Sequence, residues 1–280
     1  MPMKIYFLTS EITPFAETGA LAQFSKHIPF RLQEQSHDIR ITAPKYGFIS
    51  ERKYILREVI RLREIECDFG DETILVSAKS AFIPKTRVQV YFMEHDDWFQ
   101  PLNPLLYKAK NGRPFSDNDH RFGFFSKTAI AMLEHLFWKP DIILCNDWQS
   151  ALVPMVYEQL FKDQKFYSNI KTVQIVHNLD DYSIFSRDIF DKLGIKLPGG
   201  FDSETINATE IACHFADLII TVDSDSKKIS EELPKLLGKK GSDGKMKKKI
   251  RSLKIIDPEN NGAWSDAGDE IEKILQDHFS

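Results

Sequence analysis

Five short apolar runs constrain this chain more than anything else in it: Lys4–Thr9, Asp38–Ala43, Asp141–Cys145, Thr172–Val176 and Asp217–Val222. Each is nearly continuous in apolar residues rather than alternating, as strands buried on both faces are. The stretches between them place apolar residues at helical spacing. Thr18–Glu34 carries Leu21, Phe24, Ile28 and Leu32, and Pro29 is expected to interrupt and kink it. Asp119–Phe137 carries Phe122, Phe125, Ala129, Met132, Leu133 and Leu136 along one face. Trp148–Phe161, Ser203–Phe215 and Ser224–Leu237 read as further helices, the last with Ser224 or Asp225 as its cap. This rhythm predicts an α/β fold, a doubly wound parallel sheet with helices on both faces. Glu58–Phe69, Thr73–Ala78 and Val88–Glu94 alternate more and are joined by short turns. They predict a β-rich insertion leading into another strand.

The domain so defined covers residues 1–237. Beyond it the composition shifts: residues 239–254 hold eight Lys or Arg against one acid, Asp243. With a net charge of -4 overall, that +7 leaves about -11 on the rest. We read 238–263 as a basic, flexible linker, a patch for anionic partners being the other reading. Residues 264–280 read as a short amphipathic helix, with Ile271, Ile274, Leu275 and Phe279 behind Trp264. It either docks on the main domain or grips a partner. The acidic balance excludes a globally basic nucleic-acid binder. No run reaches the ~20 apolar residues of a bilayer span, and no secretory leader pattern follows Met1. Cys67, Cys145 and Cys213 are scattered, with no CxxC, which suits a reducing compartment. A cytoplasmic location without membrane or nucleic-acid partners is expected.

In a doubly wound sheet, ligands bind beyond the carboxyl ends of the strands. Ser10–Leu21 follows the first strand, Asn146–Ser150 the third, His177–Tyr182 the fourth and Asp223–Ser226 the fifth. The topology brings these polar segments to one edge, either as a site or as helix caps. His177, beside Asn178, is the best single candidate for chemistry, as a donor to a sugar hydroxyl or an oxyanion; a satisfied structural histidine has equal weight from position alone. There is no G-x-G-x-x-G, no P-loop, no H-E-x-x-H and no G-x-S-x-G. No cofactor or metal is expected.

These residues carry a resemblance. Ser10-Glu11, Pro14-Phe15-Ala16, Thr18-Gly19, Leu21-Ala22, then Asp117-Asn118, Arg121-Phe122, Trp138, Pro140-Asp141-Ile142, Asn146-Asp147-Trp148 and His177-Asn178-Leu179 resemble bacterial glycogen and plant starch synthases in order and spacing. The match spreads over residues 4 to about 232. The resemblance implies the N-terminal, Rossmann-like half of a GT-B glycosyltransferase, the class that moves glucose from ADP-glucose to an α-1,4-glucan with retention. Carried over by position, His177 and Asp147 face the transferred glucosyl unit, and Gly19 lies against the donor diphosphate. Thr18, Asn178, Trp148 and Gln149 would contact substrate.

The chain also departs from that pattern. Where the family has Lys-Thr-Gly-Gly, this chain has Glu17-Thr18-Gly19-Ala20. A carboxylate repels a phosphate that a lysine attracts, and Ala20 adds a methyl where the backbone is closely approached. Gln149 replaces a histidine, and Asp180-Asp181 adds two acids. The family's nucleotide-gripping domain has no counterpart in residues 238–280. The resemblance therefore implies an α-glucan acceptor, with ADP-glucose disfavoured unless a separate donor-domain partner or a homodimer completes the cleft. A noncatalytic glucan-binding or regulatory relative is the alternative.

Overall fold

The computed structural model describes residues 2–100, 105–238, 246, 249–255 and 261–279. Its strands are β1 (Lys4–Leu8), β2 (Asp38–Pro44), β3 (Arg57–Glu58), β4 (Ile65–Phe69), β5 (Glu72–Phe82), β6 (Gln89–Glu94), β7 (Ile142–Asn146), β8 (Lys171–Val176), β9 (Ile184–Ser186), β10 (Thr205–Asn207), β11 (Leu218–Asp223) and β12 (Ile250–Lys254). The helices are α1 (Ala20–Glu34), α2 (Glu51–Tyr54), α3 (Asp96–Phe99), α4 (Asn118–His135), α5 (Val153–Val156), α6 (Asp188–Leu193), α7 (Ala208–Phe215), α8 (Ile229–Leu236) and α9 (Asn261–Phe279). The main sheet runs β12-β11-β8-β7-β1-β2-β6-β5-β3, with β4 pairing β5. From β12 to β6 every pairing is parallel, and β3, β4 and β5 add an antiparallel margin.

The central strands are apolar throughout because both of their faces are covered. In β1, Tyr6 reaches α4, where its hydroxyl donates to the Ala129 carbonyl at 2.9 Å. The next residue, Phe7, stacks on Phe24 of α1 with ring centroids 6.5 Å apart. Neighbours in a strand point to opposite faces, so α1 and α4 cover opposite sides of the doubly wound sheet. The chain leaves β1 toward β2 and β6 on one side and toward β7, β8 and β11 on the other. That reversal at β1 and β7 opens a crevice at their carboxyl ends.

Local structure departs from the sequence reading in five places. Helix α1 runs unbroken through Pro29. The stretch Trp148–Phe161 is three pieces: a 3-10 turn at Trp148–Ser150, then α5, then a π-helical turn at Tyr157–Phe161. Pro154 lies in the first turn of α5, where its missing N–H needs no partner. Residues ahead of Ala208 form β10, and Asn207 caps α7 by accepting the N–H groups of Thr209 and Glu210. The carboxylate of Asp223, not Ser224 or Asp225, accepts the Ser230 N–H at the start of α8, at 2.9 Å.

The fifth departure concerns the basic segment. Residues 239–245, 247, 248 and 256–260 of the expected linker lie outside the described residues. Ile250–Lys254 is β12, parallel to β11 at the sheet margin. Only Leu253 of this strand is buried, because a margin strand keeps its charged residues in water. That is why it reads as linker. Helix α9 starts at Asn261, three residues earlier than expected, and packs on α1 through Trp264, Ala267, Ile271, Ile274 and Leu275, all buried. Polar contacts flank this seam. Asp269 takes Arg31 Nε–H at 3.0 Å and Gln35 Nε2–H at 2.6 Å, and Glu272 lies 3.1 Å from His37 Nε2.

Candidate functional site

The cleft at the switch point encloses about 310 Å3 and is built from the ends of four parallel strands. The loop after β1 is tied by Glu11, which is buried. Its carboxylate accepts the Thr18 N–H at 2.5 Å, the Thr18 hydroxyl at 2.9 Å and the Tyr107 hydroxyl at 3.3 Å. Burial raises the Glu11 carboxyl above its ordinary value, against those hydrogen bonds. The tie delivers Gly19 to the start of α1 in extended backbone, and this 15-residue helix has no side-chain N-cap. A Cβ on Gly19 would meet nothing within 4 Å, since that side of the residue opens into the cleft. An uncapped helix N-terminus with open space over a glycine favours an anion.

Asp147, after β7, is the most constrained residue of the site. Its φ of 65° with ψ of -173° is a conformation almost confined to glycine, at a cost of about 1–3 kcal/mol. Hydrogen bonds on every side hold it there. Its N–H donates to the Ile175 carbonyl at 2.9 Å, and its carbonyl accepts from Ser150 N–H at 3.2 Å and Gln174 Nε2 at 3.0 Å. Its carboxylate accepts the His177 N–H at 3.1 Å and the Asn178 Nδ2–H at 2.5 Å. Burial nevertheless pushes this carboxyl up to about 7.

His177, at the end of β8, lies edge-on to Phe24 at 4.5 Å. Its Nε2 is 2.8 Å from Asn146 Oδ1, and the Asn146 amide nitrogen is committed to Ser25 Oγ at 3.0 Å. Asn146 therefore accepts, so Nε2 carries the hydrogen and Nδ1 keeps a lone pair. Desolvation drives His177 down to about 3, and the ring is neutral at physiological pH. Asp223, Ser224 and Lys227 from the end of the neighbouring strand β11, with Ile255 and Trp264, complete the lining. Among the described lining residues Lys227 is the only cation, and its Nζ lies 3.6 Å from Asp180.

The structure thus brings His177, Asp147, Asn178, Gly19 and Ala20 into one cleft. Thr18 stands beside it as a brace, its hydroxyl spent on Glu11 and Tyr107. Trp148 and Gln149, expected to contact substrate, are buried and are not among the residues that line the cleft. Each is 1% exposed. The 3-10 turn carries the indole inward, 5.1 Å from Phe122 and 6.1 Å from Phe185. Glu17 is exposed and accepts the Gln23 Nε2–H at 2.6 Å, outside the lining residues.

The sequence reading did not single out Phe24, Tyr107, Lys227 and Trp264 for the cleft. Glu11 and Asp223 fall within the segments it brought to this edge, without a role of their own: Glu11 lies in the loop after β1 and Asp223 ends β11. Tyr107 and Trp264 arrive from distant segments, and nothing local marks them. Among the described residues no group of three or more His, Cys, Asp or Glu is placed to hold a metal ion, and no helix is long and apolar enough to cross a membrane.

Residues 4–247 match the family model described as the starch synthase catalytic domain. The glycogen synthase of Chlorobium limicola is 34% identical over 224 residues, which are 78% of this chain and 45% of that protein. That of Chlorobaculum parvum is 29% identical over 279 residues, 96% of this chain and 56% of that protein. The chain thus spans about half the length of the curated relatives it matches. Among solved structures, the catalytic domain of Starch Synthase IV from Arabidopsis thaliana, bound to ADP and acarbose, superposes with a TM-score of 0.75 at 22% identity. The match covers 90% of this chain and 51% of that one, and establishes the shared fold.

Proposed function

The chain belongs to the starch synthase catalytic-domain family, and on that premise we propose that it forms the acceptor-side half of a glucosyltransferase moving glucose from ADP-glucose to an α-1,4-glucan with retention. One observation carries the reading: Asp147, His177 and Asn178 form a single hydrogen-bonded unit that shares a cleft with Gly19 and the N-terminus of α1. In this reading the diphosphate lies over Gly19 and the open helix end. The glucosyl unit lies against His177. Its neutral ring suits a reaction in which positive charge develops at the anomeric carbon, because an imidazolium would oppose that charge. Nδ1 would accept from a sugar hydroxyl. Asp147 acts as a positioning residue, holding the backbone of His177 and the side chain of Asn178. The nucleotide would be gripped by a second domain, on the same polypeptide or on a partner.

A specific observation favours a second reading, a noncatalytic glucan-binding relative. Glu17 and Ala20 stand where the family pattern has lysine and glycine, and Lys227 is the sole cation among the described lining residues. Isothermal titration with ADP-glucose and, separately, with a maltooligosaccharide decides between them. Micromolar donor binding supports the transferase. Glucan binding alone supports the second reading, and silence on both refutes both.

A further inference from the structure

A second cavity, of about 220 Å3, lies beside α3 and α4 and shares no lining residue with the cleft. Among the described residues, two buried donors line it without partners. Arg121 of α4 is 6% exposed, its Nε–H has no acceptor among them, and its Nη1 makes one long contact, 3.4 Å to Asn118 Oδ1. The Tyr46 hydroxyl is also buried and unpartnered, and burial keeps it protonated by raising its pKa. Buried polar groups rarely go unpaired in native proteins, and each exception needs an explanation.

The walls restrict what could answer these donors. The guanidinium is held among rings, 5.5 Å from Phe99, 5.5 Å from Phe122 and 5.9 Å from Phe115. Trp98 and Phe115 are half-buried in the wall, and the exposed carboxylates of Asp97 and Asp117 stand among the lining residues. An anion would satisfy Arg121 but would face two carboxylates against one cation. An apolar ligand would leave both donors unanswered. A neutral sugar ring answers all three constraints, because its hydroxyls accept from Arg121 and Tyr46 and donate to the aspartates while its C–H faces lie on the aromatic walls. We propose that this cavity is a second carbohydrate site, holding one pyranose ring of an α-glucan away from the cleft. The choice of α-glucan rests on the transferase reading; the sugar chemistry does not.

The test uses the whole chain with its tryptophans labelled with nitrogen-15, the indole signals of Trp98 and Trp264 being assigned from Trp98→Phe and Trp264→Phe. Maltotriose is titrated in. The Trp98 signal should move saturably. Tyr46→Phe, which removes one donor, should weaken that curve about fivefold and leave any Trp264 curve unchanged; Phe115→Ala should weaken it in the same sense if Tyr46→Phe folds poorly. A Trp98 signal that stays still, or one unaffected by both variants, overturns the proposal. Displacement of maltotriose from Trp98 by inorganic phosphate also overturns it, in favour of an anion site. Movement of Trp98 with a stationary Trp264 upholds this site and counts against the cleft reading alone.

Discussion

Asp147→Asn should flatten part of the pH dependence of stability. The Asp147 carboxyl is pushed up to about 7 in the fold by burial, against about 3.9 in an unfolded chain. A group raised on folding contributes stability that is present in full below its unfolded value and is lost as pH rises through its folded value. Between pH 5 and pH 8 the wild type should lose about 2.5 kcal/mol from this group alone. Asparagine does not titrate. Its Oδ1 can still accept the His177 N–H, but its amide nitrogen faces Asn178 Nδ2, a mismatch of about 1–3 kcal/mol at every pH. The constant penalty cancels when each protein is compared with itself. Urea midpoints read by tryptophan fluorescence at pH 5 and pH 8 give the four numbers required. The drop from pH 5 to pH 8 should be smaller in Asp147→Asn by about 2.5 kcal/mol. Equal drops in the two proteins would refute the assignment of a desolvated, protonatable carboxylate.

Three further outcomes follow from the same geometry. Gly19→Ala should shift unfolding stability by no more than about 0.5 kcal/mol, since its new methyl meets no protein atom, yet weaken ADP-glucose binding about tenfold in titration calorimetry; unchanged affinity would place the diphosphate elsewhere. Glu17→Lys should tighten ADP-glucose binding about fivefold at low salt, and no change would mean the donor is excluded for another reason. Gly268→Val should destabilise the chain by about 1–3 kcal/mol in urea, because even a Cβ there would lie 2.3 Å from Arg31 Cγ. A neutral result would mean α9 does not dock on α1 as described.

What the sequence disclosed depends on where each residue sits in the sheet. β1 and β7 were legible because central strands are apolar on both faces, and Asp147 and His177 were legible because each follows such a strand. β12 was not, since a margin strand with one buried residue is chemically indistinguishable from a basic linker. Trp148 and Gln149 lie outside the cleft for a geometric reason. They follow Asp147 directly, but its left-handed backbone turns the chain inward and sends both side chains into the core. Tyr107 and Trp264 join the site through tertiary packing alone, which no local pattern reports. The resemblance to a known family supplied the roles. The structure supplied the tautomer of His177 and the tie between Glu11 and Thr18.

The docking of α9 on α1 bears on the order in which the molecule assembles. Glu11 and Trp264 line the same cleft although about 250 residues separate them along the chain. Closing such distant segments directly costs somewhat more loop entropy than pairing neighbouring strands, and that cost falls once the sheet up to β12 has formed and α9 follows close behind it in the chain. The strands β1, β2 and β7 can pair earlier, through nearer neighbours, so the Trp264 part of the lining should be among the last parts to close and among the first to open. In hydrogen exchange the amides of α9 should then be released ahead of those of β1, and the cleft would lose one wall while the sheet beneath it is still intact.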